Sequence, residues 1–101
     1  MDKYKVKISK SAIHDLENIA EYLKGFYENT SVKMYDEFVT KISNLKEFPF
    51  MYPQAKDKRL AKKGYRILVI EDYLVFYIVN ENIVRIKRIL HGKQNYLFLL
   101  H

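Results

Sequence analysis

The sequence predicts an α+β domain: a β-strand, a two-helix antiparallel hairpin, a three-stranded antiparallel meander and a short C-terminal segment. Three observations predict it. Residues 4–8 alternate apolar and basic side chains at period two. Residues 13–45 carry two apolar stripes at spacings of three and four. Residues 64–90 hold three apolar runs parted by short polar turns.

The opening strand sets Tyr4, Val6 and Ile8 on one side and Lys5 and Lys7 on the other. Ser9 or Ser11 offers an N-cap for a first helix, with Asp15 and Glu17 early in it, where acids suit the helix dipole. Ile13, Leu16, Ala20, Leu23 and Tyr27, joined by Ile19 and Phe26, form its apolar face, and the helix is expected to end near Glu28. Asn29-Thr30-Ser31 breaks the pattern and caps a second helix striped by Tyr35, Phe38, Val39, Ile42 and Leu45. Pro49 closes that helix, because the residue before a proline is pushed out of helical geometry.

A polar connector follows, in which residues 57–61 suit one helical turn, and Gly64-Tyr65-Arg66 opens the meander. Its strands are expected at 67–70, 73–79 and 83–90, with turns at Glu71-Asp72 and Asn80-Glu81-Asn82. The middle strand is apolar on both faces, as a strand covered on both sides must be. In the last strand, strict alternation groups Arg85, Lys87 and His91 and sets Arg88 among Val84, Ile86 and Leu90. Arg88 is therefore either buried with a partner or re-aimed by a bulge. The helices are expected to cover one sheet face and the bases to occupy the other.

At 101 residues the chain reads as one domain, 1–101, and 49% hydrophobic against 30% charged residues marks it as globular. The absence of cysteine excludes disulfide and thiolate chemistry. No leader pattern or membrane-length apolar run is present, so a cytoplasmic protein without a membrane partner is expected. His14, His91 and His101 lie far apart without paired carboxylates, and three glycines build no phosphate loop, so neither metal nor cofactor is expected. The first 55 residues hold eight lysines and eight acids, whereas residues 56–101 hold ten Lys or Arg and four acids. The whole +6 excess thus lies on the sheet half, which suits a polyanionic partner, nucleic acid or acidic peptide, as well as a solubilising surface.

The outlet of the last strand gathers the residues with chemistry. Cutting RNA without a metal needs a base for the 2′-hydroxyl, cations for the pentavalent phosphate and an acid for the leaving oxygen. His91 suits base or acid, Arg66 and Arg88 suit charge clamps, and Tyr96 suits stacking or proton donation. Lys58, Arg59, Lys62, Lys63, Arg85, Lys87 and Lys93 are candidate substrate-binding cations. The same residues also suit a non-catalytic basic sheet edge with packed aromatics. Leu97, Phe98, Leu99 and Leu100 form an apolar tail that either folds back on the core or receives a partner.

The order of elements and several short motifs resemble the RelE/ParE superfamily of toxins from type II toxin–antitoxin modules. The motifs are the 12–19 helix pattern, Leu45 leading to Pro49, Gly64-Tyr65-Arg66, the 73–77 strand and the Arg88-Ile89-Leu90-His91-Gly92 close. That close looks most like the ParE-type, plasmid-stabilisation branch. The resemblance implies a growth-inhibiting toxin with a cognate antitoxin as partner. It implies one of two activities: cleavage of translated mRNA on the ribosome, as in RelE-like members, or inhibition of DNA gyrase by binding, as in ParE-like ones. The first is the primary expectation, with Arg66, Arg88, His91 and Tyr96 around the scissile phosphate. An acidic, amphipathic antitoxin segment is expected over Leu97, Phe98, Leu99 and Leu100, with its acids on Arg85, Lys87 and Lys93.

Overall fold

A computed structural model, describing residues 3–24 and 28–100, runs β1 (Lys5–Ile8), α1 (Lys10–Lys24), α2 (Glu28–Asn44), α3 (Lys58–Lys62), β2 (Tyr65–Ile70), β3 (Tyr73–Asn80) and β4 (Ile83–His91), then a 3₁₀ turn at Leu97–Leu100. The strands form one sheet in the order β1-β4-β3-β2. β2, β3 and β4 pair antiparallel, as the two short turns require. β1 lies parallel to β4, with Lys5 opposite Ile83 and Ile8 opposite Ile86. Local patterning gives no such placement, since it depends on how the helices carry the chain back across the sheet.

Ser9 starts α1. Its hydroxyl accepts the Ala12 N–H at 3.0 Å and donates to the Lys87 carbonyl at 2.8 Å, joining the helix cap to β4. The buried face of α1 is shifted from the expected one: Ala12 and Asp15 are buried and Ile13 is exposed. Asp15 therefore serves a side-chain partner rather than the helix dipole. Phe26 and Tyr27 lie outside the described residues, and Glu28, near which the sequence places the end of α1, is the first residue of α2. Asn29-Thr30-Ser31 falls inside α2 instead of forming a break, so cap-favouring residues here are overridden by the helix around them. Phe38, Ile42 and Leu45 are buried under α2, while Tyr35 and Val39 face outward. Bonds of the i→i+3 type at Leu45, Lys46 and Glu47 tighten the chain before Pro49.

The sheet is covered on both sides. One core joins Ala12, Phe38, Ile42 and Leu45 of the helical layer to Leu68, Val75, Tyr77, Val84 and Ile86. The second, on the opposite face, gathers Ala55, Leu60, Tyr65, Phe76 and Leu90 under Tyr96, Leu99 and Leu100. The face expected to be basic is therefore apolar and roofed at its centre, with Arg85 and Arg88 on β4 at its side and Lys58, Arg59, Lys62 and Lys63 on the covering layer. The reason is β3, whose two apolar faces both demand burial. Asp57 caps α3 by accepting the Arg59 and Leu60 N–H groups. Gly64 follows at φ +95°, a left-handed turn that a side chain would strain.

Candidate functional site

β1 ends opposite Ile86, so from Lys87 onward β4 presents an open edge. There the strand bulges: Tyr77 pairs with Ile86 and Phe76 with Arg88, leaving Lys87 extra. The bulge reverses the alternation, so Arg88 shares the second face with Arg85 and Leu90, while Ile89 and His91 turn toward the helices. Arg88 then reaches around the edge to Asp15, Nε to Oδ2 at 2.8 Å and Nη2 to Oδ1 at 3.0 Å. The same carboxylate accepts the Ile89 N–H at 2.9 Å, closing the ladder position that β1 leaves vacant. Hydrogen bonding to Asp15 raises the Arg88 pKa, against the lowering effect of burial. Both alternatives foreseen for Arg88, a partner and a bulge, occur together. The partner, Asp15, lies 73 residues away, which no local pattern reveals.

Arg66 is held elsewhere. It pairs with Tyr77 in the sheet, its Nη1 donates to the Tyr52 carbonyl at 2.7 Å, and its guanidinium lies 5.0 Å from the Phe50 ring centroid. His91 pairs with Tyr73 at the far end of β3, ring to ring at 5.5 Å. From this register, Arg66 and His91 are four residues apart along the strands and two strands apart, roughly 16 Å between Cα atoms.

The His91 Nδ1 accepts the Lys93 N–H at 3.1 Å, which puts the neutral ring's proton on Nε2. The surrounding hollow, about 340 Å³, is also lined by Glu71 and Asp72. Lys93 lines it too, so acidic and basic side chains meet around the imidazole.

Tyr96 lies on the opposite face against Phe76, at 5.2 Å. Arg88 is the sheet neighbour of Phe76 and lies 5.0 Å from the Phe98 ring, so Arg88 and Tyr96 flank one aromatic cluster. The four candidate catalytic residues therefore divide: Arg88 and Tyr96 come together, whereas Arg66 and His91 stand apart from them and from each other.

Among the candidate cations, Lys58 and Lys62 are exposed on α3, and Arg59 pairs with Asp57 at 3.1 Å. Hydrogen bonds from Arg59 hold the Asp57 carboxyl below its usual range. Lys63 donates to the Leu100 carbonyl at 2.7 Å, and Arg85 and Lys93 are exposed. Lys87 is half-buried in the bulge. In the tail, Leu99 and Leu100 pack on the second core, while Leu97 and Phe98 remain 41% and 44% exposed. Among the described residues no group of three or more His, Asp or Glu is placed to hold a metal, and no helix is long and apolar enough to cross a membrane.

A sequence model of the family described as the ParE toxin of the type II toxin–antitoxin system parDE matches residues 6–96. No curated protein matches. Among solved structures, the chain overlays one from the chromosomal ParDE TA system of P. aeruginosa with a TM-score of 0.73 at 17% identity, covering 88% of this chain and 96% of that one. It overlays one from the archaeal RelE–RelB complex of Pyrococcus horikoshii OT3 with a TM-score of 0.58 at 16% identity, covering 92% and 99%. For the E. coli DinJ–YafQ complex the TM-score is 0.56 at 16% identity, covering 88% and 93%. At such identities the likeness is one of fold.

Proposed function

The chain belongs to the ParE toxin family of type II toxin–antitoxin systems, and on that footing we propose that it arrests growth by binding DNA gyrase rather than by cutting RNA. One observation carries this reading. The groups that metal-free RNA cleavage needs lie on two faces of the sheet, with Arg88 tied to Asp15 and Arg66 tied to the Tyr52 carbonyl. A nuclease needs its base, acid and charge clamps within hydrogen-bond reach of one phosphate, whereas the Arg66 guanidinium is turned to Tyr52 and Phe50 and His91 packs on Tyr73, roughly 16 Å away between Cα atoms.

The mRNA-interferase reading rests on Arg88 and Tyr96, which flank Phe76 on one face. One pair of assays separates the two. In a supercoiling assay the purified protein is expected to inhibit gyrase, and primer extension on translated mRNA after induction is expected to show no discrete cuts. Cuts that disappear in Arg88→Ala and Tyr96→Phe variants would reverse the assignment.

An antitoxin is the second partner, a reading supported by the family and by structural neighbours that are themselves toxin–antitoxin systems. Its acidic, amphipathic segment covers Leu97 and Phe98, with acids on Arg85, Lys87 and Lys93.

A further inference from the structure

Three large apolar side chains stand out of the loop after α2: Phe48, Phe50 and Met51 are 56%, 57% and 58% exposed. Their loop is held in place. Pro49 is buried and its carbonyl accepts the Tyr77 hydroxyl at 2.8 Å, Met51 N–H bonds to the Phe48 carbonyl, and Arg66 holds Tyr52. Such preorganisation means that little conformational entropy is lost when the loop is covered.

The rim around these side chains is basic. Phe50 meets the Arg66 guanidinium on one side and the Tyr4 ring, edge-on at 6.2 Å, on another. Tyr4 in turn shares a surface hollow with Lys3, Lys5 and Lys46. Glu47 is the one acid between residues 46 and 54.

We propose that this loop is the docking surface for the toxin's protein target, received by an apolar socket with an acidic border. The inference rests on the binding mode of action above and names the surface that performs it. Phe, Met, Tyr and Arg at the centre with lysines outside is the make-up of a protein interface core and rim. A second copy of this chain is a poor occupant, since each copy carries +6 and would set lysine rim against lysine rim. Single-stranded RNA is disfavoured because Arg66 already occupies the Phe50 ring and donates to Tyr52. Phe98 of the tail has a different neighbour, the Arg88 guanidinium 5.0 Å from its ring.

The test uses the full chain with the double substitution Phe48→Asp/Met51→Asp, and Lys5→Glu as an independent rim variant. With purified gyrase, the inhibitory concentration is expected to rise about tenfold or more for the double variant and severalfold for Lys5→Glu, with the melting temperature of Lys5→Glu unchanged. Unchanged inhibition by both would overturn the docking surface. Should the wild type leave gyrase untouched, the gyrase reading fails by itself and growth arrest on induction decides the surface. Arrest lost with the soluble, folded variants upholds it, and arrest kept overturns it. Binding of a labelled single-stranded RNA by wild type, lost in the variants, would also overturn it in favour of RNA.

Discussion

Asp15 and Tyr77 show how single side chains hold the layers together. Asp15 is 9% exposed and satisfies both the Arg88 guanidinium and the Ile89 N–H. Asp15→Ala leaves both without an acceptor and is expected to cost about 2–4 kcal/mol in urea unfolding. In the Asp15→Ala/Arg88→Met double variant the loss should be smaller than the two single losses combined, because the orphaned cation is gone. Tyr77 is buried with its hydroxyl donating to Pro49, and burial pushes its pKa from the ordinary 10.0 to about 12, with Arg66 pulling the other way. The unfolded chain thus releases this proton before the folded one does. Stability should be unaffected by Tyr77 below pH 10 and fall as pH rises from there toward about 12, by roughly 2 kcal/mol. Tyr77→Phe should cost about 1 kcal/mol at pH 7 and show a shallower alkaline decline, read as unfolding free energy against pH.

At the scale of elements, the β4 bulge and the hairpin turns set which residues face which layer. One extra residue at Lys87 keeps Ile86 and Ile89 both on the helical core despite their odd spacing, and sends Arg88 to the other side. The turns carry a cost, since Glu71 and Glu81 adopt φ 53° and 57°, left-handed conformations that a long side chain disfavours. Glu71 lines the hollow around His91, whereas Glu81 lies outside the candidate site. Glu81→Asn should therefore stabilise the fold by about 0.5–1 kcal/mol, a rise in Tm of roughly 2–8 °C by thermal melting.

For the whole molecule, the tail divides between packing and exposure. Leu99 and Leu100 help roof Leu60, Phe76 and Leu90, whereas Leu97 and Phe98 stay accessible, Phe98 beside Arg88. Removing residues 97–101 should therefore lower stability as well as antitoxin affinity, by about 2–3 kcal/mol in unfolding free energy. Leu97→Ser/Phe98→Ser should weaken antitoxin binding by about tenfold without moving the melting temperature. Titrating the complex with salt tests the charge contribution: affinity should fall as salt rises but persist at 1 M, because apolar burial is not screened. Complete loss at high salt would leave Leu97 and Phe98 without a role in binding.

Much of this architecture follows from local chemistry. Period-two and period-3.6 apolar patterns mark the strands and helices, Pro49 and Gly64 bound them, and the order of elements points to the toxin family matched over residues 6–96. These features are legible because each depends on neighbours within a few residues. The candidate site is legible only as an inventory of residue types. That Arg88 meets Asp15, that Arg66 meets Tyr52 and Phe50, and that His91 lies beside Glu71 and Asp72 depends on pairings across the fold. The parallel pairing of β1 with β4 and the bulge at Lys87 are of the same kind. Register and face are settled by burying two apolar layers at once, a condition on the whole sheet that no single stretch of chain contains.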